Sequence, residues 1–199
     1  MGVVAGGTRG AILAAARAGL LADGYAGLST RKVAEGAEVP LSQLHYHFGG
    51  KQQLILSVLE HENERLLERQ ARLFDEDRPL WERYDDACEL LDEDLASGYV
   101  RVLHEMTAAG WSNDGIAAAV RRLLQGWFDL LAGVFVEAEK RGVPFGAMSP
   151  REAATMVGLQ FLGGESLLLL GVSETDVPVR AVLRRVGELI RLAETGGTQ

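Results

Sequence analysis

Apolar residues recur along this chain at the three- and four-residue intervals of amphipathic helices. One stripe covers residues 12–20, and a longer one consists of Ile116, Val120, Leu123, Trp127, Leu130 and Val134. Stripes of this kind bury one face of a helix. No run of segments alternates in the way that the strands of a sheet do, so the pattern predicts an all-α protein.

Glycine, proline and capping residues divide this pattern into separate helices. Three short helices are predicted in the first fifty residues, over 8–23, 29–34 and 40–48. Longer helices are predicted to begin near residues 51, 80, 99, 114, 150 and 178. Ser149 and Glu152 have the spacing of a capping box at the start of one of them. The tails, residues 1–7 and 195–199, are expected to be disordered.

Composition is that of an ordinary globular protein, with 47% hydrophobic and 24% charged residues among 199. A net charge of −8 by itself argues against binding to nucleic acid. The charge is unevenly distributed, however. Residues 1–55 hold five basic and three acidic side chains, so they carry +2 and the rest carries −10. A slightly basic head on an acidic body predicts two functions in one chain.

The compartment is predicted from cysteine use and from the apolar segments. Cys88 is the one cysteine and cannot form an internal disulfide, which favours a reducing compartment. Arg17 interrupts the segment "AILAAARAGLLA", which otherwise resembles a signal peptide. The stretch "LQFLGGESLLLLGV" is too short to span a bilayer and contains Glu165. We expect a cytoplasmic protein with no membrane association.

The segment "PLSQLHYHFGGK", residues 40–51, predicts the second helix of a helix-turn-helix. Leu44 and Phe48 lie four residues apart and would anchor this helix to a core. In such motifs the second helix enters the major groove of DNA. Gln43 can pair with adenine, and hydroxyl and imidazole donors can hold phosphates. Lys51 would begin the next helix, at a terminus that already favours an anion.

The N-terminal segment resembles the DNA-binding domain of the TetR family of bacterial transcriptional regulators. "ILAAARAGLLADGY" is similar to the family's first helix. "LSTRKVAEGAEVPLSQLHYHFGGKQQL" is similar to its helix-turn-helix and the start of its fourth helix. The resemblance covers roughly residues 12–59. It implies a three-helix DNA-binding domain followed by a helical ligand-binding and dimerisation bundle, which we place at residues 1–50 and 51–199.

Some positions depart from the family's pattern. Gly19 and Leu20 stand where the family usually has leucine and phenylalanine. Glu38 replaces a common glycine, Pro40 a frequent serine cap, and His45 a phosphate-touching tyrosine. These departures affect the operator sequence and the affinity rather than the fold, because an acidic group near phosphates weakens binding.

Ten residues are predicted to contact DNA. They lie in the first turn of the second helix, along the third helix, and at the start of the fourth: Ser29, Thr30, Arg31, Leu41, Ser42, Gln43, His45, Tyr46, His47 and Lys51.

The acidic body is rich in aromatic residues, which line small-molecule pockets and equally fill ordinary helical cores. The candidates for lining a pocket are Trp81, Tyr84, Tyr99, Leu103, His104, Trp127, Phe128 and Phe161, and either His104 or Glu165 could orient a ligand.

The last two helices are predicted to form a dimer interface, because their apolar residues are too many for a wet surface. Four such helices from two protomers would make a bundle. The candidate interface residues are Phe161, Leu167, Leu168, Leu183, Val186, Leu189 and Ile190.

The function that the resemblance implies is a ligand-responsive regulator, most simply a repressor. As a homodimer it would bind a palindromic double-stranded DNA operator, and a small, largely apolar effector would release it. The helix beginning at Lys51 would be the lever. The alternative is a helical small-molecule-binding or interaction protein with a degenerate DNA-binding head.

A metal site, an enzyme active site or a pure interaction module explains these residues less well than a DNA-binding surface does. His45 and His47 are two apart, whereas helical zinc pairs are four apart. "VVAGGTRGAI" lacks the last glycine and the preceding strand of a dinucleotide loop. "GGESLL" does not match the nucleophile elbow. We therefore expect no catalytic residue, no metal and no cofactor.

Overall fold

The computed structural model describes residues 7–196. In this range every regular element is a helix, as the sequence predicts. The helices are α1 (Gly7–Gly27), α2 (Thr30–Gly36), α3 (Leu41–Phe48), α4 (Lys51–Phe74), α5 (Leu80–Ser97), α6 (Tyr99–Gly110), α7 (Asp114–Lys140), α8 (Pro150–Leu169) and α9 (Val179–Gly196).

The predicted helix boundaries agree with the structure to within a few residues. Gly24 has φ 69° and ψ −178°, so the first run of helical geometry ends there, as predicted, because glycine tolerates this conformation. One further helical turn follows the break and extends α1 to Gly27. The predicted disordered tails fall mainly outside the described residues, and residues 7, 195 and 196 are helical.

The structure divides into two compact units. The first contains the residues up to Glu64 and the segment Arg101–Arg122, and the second contains Arg65–Val100 and the residues from Leu123 onward. The first unit therefore includes part of α4 and nearly all of α6. The functional boundary that we place at residue 50 stays a prediction.

In the first unit, α1, α2 and α3 pack against one another. The side chains of Ile12, Leu20, Leu44 and Leu54 are almost completely buried there. Gly19 allows a close approach, since a Cβ atom at this position would lie 2.7 Å from Leu28 Cδ1. Leu28 thus fills the space next to the glycine that replaces the family's larger residue.

In the second unit, α9 packs against α5 and α8 around a continuous apolar core. Gly164 and Gly187 allow this packing, because Cβ atoms there would clash with Val179 on α9 and Asp85 on α5. Gly158 likewise leaves room on α8 for Phe128 of α7. The predicted capping box is present, since Glu152 N–H donates to Ser149 Oγ and Ser149 N–H donates to Glu152.

Glu194 on α9 caps the N-terminus of α5. Its two carboxylate oxygens accept hydrogen bonds from the N–H groups of Leu80 and Trp81, at 2.8 and 3.0 Å. Pro79, at the N-cap position, contributes no side-chain cap of its own. A residue near the end of the sequence thus satisfies backbone donors that a helix leaves unpaired.

None of the helices in the described part of the chain is both long enough and apolar enough to cross a bilayer.

Candidate nucleic-acid interface

Helix α3 has one buried face and one exposed polar face. Leu44 and Phe48 are 0% and 4% exposed, so they anchor the helix as predicted. Ser42, Gln43 and Tyr46 are exposed, and Tyr46 exposes 82% of its surface. A surface-exposed tyrosine beside a serine and a glutamine offers hydrogen-bond donors and acceptors to a polar partner.

The two histidines of α3 differ in their surroundings. His45 is exposed, and its Nδ1 lies 3.1 Å from the carbonyl oxygen of Gly49, so Nδ1 donates and the ring caps the end of α3. His47 is half-buried and lies edge-to-face with Tyr46, at 5.2 Å between ring centroids. Both therefore have local contacts, and His45 keeps Nε2 for a further partner.

The start of α2 contributes a polar and basic edge. Ser29 holds the N-cap position but makes no side-chain cap hydrogen bond, and it is partly exposed like Thr30. Arg31 is exposed, and Lys32 pairs with Asp23 at 3.3 Å. Leu41, at the start of α3, is partly exposed.

Lys51 is engaged within the chain. Its Nζ donates to the carbonyl of Ala26 at 2.9 Å and lies 5.4 Å from the centroid of the Tyr25 ring. An ammonium group has three N–H donors, so one such bond leaves others for a phosphate. The sequence placed Lys51 at a helix N-terminus, but nothing in the local pattern indicated its contact with α1.

Arg9 is a basic residue at this surface that the sequence analysis missed. Its guanidinium carbon lies 5.4 Å from the centroid of the Phe48 ring, which brings the first turn of α1 to the end of α3. The signal available was weak: a single arginine one turn before the first buried position, Ile12.

Glu38 occupies the turn between α2 and α3 with φ 55°, the one positive φ at a non-glycine residue in the described range. The N–H groups of Glu38 and Val39 donate to the carbonyls of Glu35 and Ala34. This is the Schellman arrangement that usually ends in glycine. Glutamate in place of glycine therefore adds backbone strain to this turn as well as a negative charge.

The residues predicted to line a ligand pocket are divided between the two units. Leu103 and His104 belong to the first unit, and the remaining seven belong to the second. Tyr84 and Phe161 are core residues, with ring centroids 6.0 Å apart, and Tyr84 Oη donates to the carbonyl of Leu183. Burial raises the pKa of Tyr84. These two residues have structural roles whatever else they contact.

Polar groups accompany the aromatic residues of the second unit. Trp127 is half-buried beside Phe128, and its Nε1 donates to Gln70 Oε1 at 2.8 Å. Arg69 pairs with Asp94, whose pKa is raised because burial outweighs that ion pair. Trp81 and Glu165 are half-buried, and Tyr99 is buried. Burial raises the pKa of Cys88 to about 11, which keeps its thiol protonated at neutral pH.

The predicted dimer residues are mostly interior. Four of them, Phe161, Leu183, Val186 and Ile190, are at most 9% exposed and belong to the core of their own unit, so they lie in the interior of the protomer. Leu167 and Leu168 are half-buried. Leu189 is 63% exposed.

A different set of apolar residues reaches the surface of α8 and α9. At spacings of three, seven and eleven residues they form one exposed face on each helix, with Leu170 just past the end of α8: Met156, Leu159, Leu170, Val182, Leu189 and Leu192. Of the predicted interface residues on α9, Leu189 belongs to this exposed face, whereas Leu183, Val186 and Ile190 lie on the buried one. The interface itself stays a prediction.

In the described range, no group of three or more histidine, cysteine, aspartate or glutamate side chains is arranged to hold a metal ion.

Comparison with known protein families agrees with the helix-turn-helix geometry. The profile of the bacterial regulatory proteins of the TetR family matches residues 12–58. The chain carries a TetR-family N-terminal segment. The match spans α1 to the first turns of α4 and so includes the whole exposed face of α3. No curated protein sequence is similar enough to match the chain.

Solved structures with the same fold extend the similarity beyond the TetR-family segment. A putative TetR-family regulator from Rhodococcus sp. is 22% identical, with a TM-score of 0.76 over 92% of this chain and 97% of that one. GusR from Salmonella enterica is 21% identical, with a TM-score of 0.74 over 94% and 97%.

A third structure has a bound ligand. The transcriptional regulator FadR from Bacillus subtilis, in complex with stearoyl-CoA, is 19% identical, with a TM-score of 0.70 over 90% of this chain and 96% of that one. At these identities the structures establish a shared fold. Together they extend the shared all-helical fold over nearly the whole chain, with the matched TetR-family segment at its N-terminus.

Proposed function

We propose that this protein is a ligand-responsive repressor, which binds a palindromic operator as a homodimer and is released by a small, largely apolar molecule. The observation that carries the proposal is the face of α3 formed by Ser42, Gln43 and Tyr46. It is exposed and polar, it stands on the buried anchor of Leu44 and Phe48, and it lies within the TetR-family segment.

The proposed DNA contacts are sorted by chemistry. Gln43 reads a base edge, because its amide can pair with adenine in the major groove. The remaining predicted residues hold phosphates or fix the position of the helix on the backbone. Arg9 joins them, since its guanidinium lies at the end of α3.

The homodimer is proposed from the exposed apolar face of α8 and α9. Six large apolar residues on two neighbouring helices are more than an isolated surface normally exposes as a patch. A two-fold dimer would present two copies of α3 to successive major grooves, so the operator is expected to be palindromic.

The effector is proposed from the aromatic content of the second unit. Trp127 and Phe128 lie side by side and half-buried, with polar atoms of Gln70 nearby. The stearoyl-CoA complex of FadR motivates a long-chain acyl-CoA as the first probe. The acidic balance of residues 56–199 favours neutral or cationic molecules, so a fatty alcohol and a fatty amine belong in the same panel.

In the proposed switch, the ligand favours a state in which the two recognition helices are wrongly spaced, and α4 transmits this change. A coupling of about 1–3 kcal/mol would be enough to release DNA in the presence of ligand. Joining the two heads of a dimer by a cross-link at fixed spacing should abolish the response. A response that survives the cross-link would rule out α4 as the lever.

The decisive experiment is binding of the purified protein to a labelled duplex from upstream of its own gene, with an unrelated duplex as the control. Specific binding should be saturable, should prefer the upstream duplex and should weaken steeply with salt. Gln43→Ala should reduce the preference by roughly 5–150-fold, which corresponds to 1–3 kcal/mol. Gln53→Ala, an exposed amide on α4, is the matched control.

The alternative is a helical small-molecule-binding protein whose DNA-binding head is degenerate. Two observations favour it: Glu38 puts strain and negative charge into the turn before α3, and Lys51 is bound to Ala26 within the chain. Effector binding without preference for any duplex at low salt would support this alternative. In both cases we propose a cytoplasmic, non-catalytic protein that needs no cofactor.

A further inference from the structure

The break in α1 has side-chain partners on both of its ends. In an unbroken helix the Tyr25 N–H would donate to the carbonyl of Leu21. Here the Tyr25 N–H donates to the carboxylate of Glu105 on α6. The guanidinium of Arg101 donates to the carbonyls of Leu20 and Leu21, at 2.6 and 2.7 Å.

Arg101 and Glu105 of α6 have the charges and the positions that suit the two sides of this break. Arg101 and Glu105 are one helical turn apart, and Arg101 Nε lies 3.8 Å from Glu105 Oε1. The positively charged Arg101 donates to carbonyls that the break frees from helical pairing, and the negatively charged Glu105 accepts from the N–H group that it frees. Each charge therefore strengthens its hydrogen bond. Glycine suits this position, because residues with side chains rarely adopt its φ of 69° and ψ of −178°, and a Cβ atom there would lie a tight 3.1 Å from Glu105 Oε1.

The other side of the same segment is held by the start of α4. Lys51 donates to the carbonyl of Ala26 and stacks on the ring of Tyr25. Residues 24–26 are therefore clamped between α6 and Lys51, all within the first unit. Lys51 is also one of the residues proposed to hold a DNA phosphate.

We propose that Arg101 and Glu105 are positioning residues for DNA binding, which hold the broken end of α1 so that Lys51 is set at the phosphate. This inference rests on the proposed function and extends it to α6. Operator affinity then depends on α6, which touches no DNA in this scheme, as well as on the recognition helix. We call this set of contacts, between Arg101 and Glu105 of α6 and residues 20–25 of α1, the joint. It fixes the turn of α1 beyond Gly24, which carries the Ala26 carbonyl that accepts from Lys51.

Glu105→Ala is the diagnostic variant, because simple charge predicts the opposite result. Removal of a negative charge from the head should strengthen binding to a polyanion. The joint predicts instead that affinity for the upstream duplex falls at least fivefold, with α-helix content unchanged. Glu60→Ala is the matched control, since Glu60 forms an exposed ion pair with Arg122 at 3.9 Å in the same unit.

A double-mutant cycle separates positioning from general destabilisation. In a Lys51→Ala background, Glu105→Ala should no longer lower affinity, because the group that it positions is gone. Equal losses in the two backgrounds would overturn the proposal. A lower melting temperature with unchanged affinity below it would also overturn it, since that is the result of a purely structural contact.

Amide hydrogen exchange tests the joint without DNA. In the full-length protein, Glu105→Ala should accelerate exchange at the Tyr25 amide at least tenfold and leave the Val33 amide, bonded to Ser29 within α2, unchanged. If the parent protein prefers no duplex, the proposed function fails, and this measurement still decides whether the joint exists. Unchanged exchange at Tyr25 would show that the joint does not hold the segment.

Discussion

Helices α3 and α9 use their two faces in opposite ways. Helix α3 buries Leu44 and Phe48 and exposes serine, glutamine and tyrosine. Helix α9 buries an apolar face and exposes another, with Leu189 and Leu192 more than 60% exposed. A short helix with one apolar face needs one partner, the core of its own unit. The second apolar face of α9 has no cover within its own unit, and it is the basis of the proposed homodimer.

The chemistry of an exposed helix face therefore indicates what kind of surface can pack against it. The exposed groups of α3 suit the hydrogen-bonding groups of a nucleic acid, which water also satisfies while the surface is free. The exposed groups of α9 cannot be satisfied by water, so their stable environment is another apolar surface. Of the five predictions that follow, the first two test these separate roles, and the other three test the caps and the turn that fix the ends of the helices.

The largest effect is expected from the anchor of α3. Leu44→Ala removes a completely buried side chain and should cost about 2–5 kcal/mol of folding stability, through lost burial and a cavity. Thermal and denaturant unfolding measure this cost. Tyr46→Ala on the opposite face should change stability by less than about 0.5 kcal/mol and reduce DNA binding instead. Similar stability losses in both would contradict the division of α3 into two faces.

The exposed face of α9 should control assembly. Leu189→Asp with Leu192→Asp should raise the dimer dissociation constant by roughly a hundredfold or more, because an unpaired carboxylate costs several kcal/mol to bury. Sedimentation velocity over a range of concentrations gives this constant. Val136→Asp, at an exposed apolar residue of α7, is the control and should leave the dimer intact. A dimer unaffected by the α9 changes would place the interface elsewhere.

The cap of α5 should contribute a smaller amount. Glu194→Ala leaves the Leu80 and Trp81 N–H groups without their acceptor, and we expect a loss of about 1–2 kcal/mol. Chemical denaturation measures it. Glu188→Ala removes an exposed α9 carboxylate that pairs with Arg185, and it should cost less than about 0.5 kcal/mol.

The strained turn before α3 should gain stability when glycine is restored. Glu38→Gly relieves a strain of about 1–2 kcal/mol, against an entropic cost of about 0.4–1 kcal/mol, so a net gain of about 0.5–1 kcal/mol is expected. Affinity for DNA should rise with it, since a negative charge is lost. Glu35→Gly, inside α2, makes the same change in a helical position and should destabilise the protein.

The smallest effect concerns the capping box of α8. Hydrogen bonds from the Ser149 backbone and hydroxyl hold the pKa of Glu152 below its usual range. Its stabilising contribution is therefore complete above the ordinary glutamate pKa, about 4.3, and is lost as the pH falls through the lower folded value. Glu152→Gln should lower the melting temperature slightly at pH 7 and not at strongly acidic pH. Equal differences at both pH values would exclude this charge effect.

Much of the first unit could be predicted from the sequence, because its signals are local. Leu44 and Phe48 at a spacing of four, Pro40 before them and glycines after them define α3 and its buried face. The internal contacts of Lys51 and the clamp on Tyr25 could not be predicted. Glu105 lies eighty residues from Tyr25, and no periodicity connects them.

The sequence predicted the helices of the second unit but not which of their faces are buried and which are exposed. Leu183 and Leu189 have the same chemistry and both follow the apolar pattern of α9, yet one is 2% and the other 63% exposed. Which apolar face turns inward depends on how α9 packs against α5 and α8, and that choice is made by contacts far apart in sequence. For the same reason, the sequence alone left open whether Tyr84 and Phe161 line a pocket or fill the core, where the structure places them.

The cap that Glu194 places on α5 has a genetic consequence. A stop codon at position 194 removes only the last six residues of this sequence, yet it deletes the acceptor for a helix that begins at residue 80. Such a nonsense allele is expected to yield a destabilised protein that cellular proteases degrade, rather than a shortened active one. A stop codon at position 197 retains Glu194 and is therefore expected to leave the cap of α5 in place.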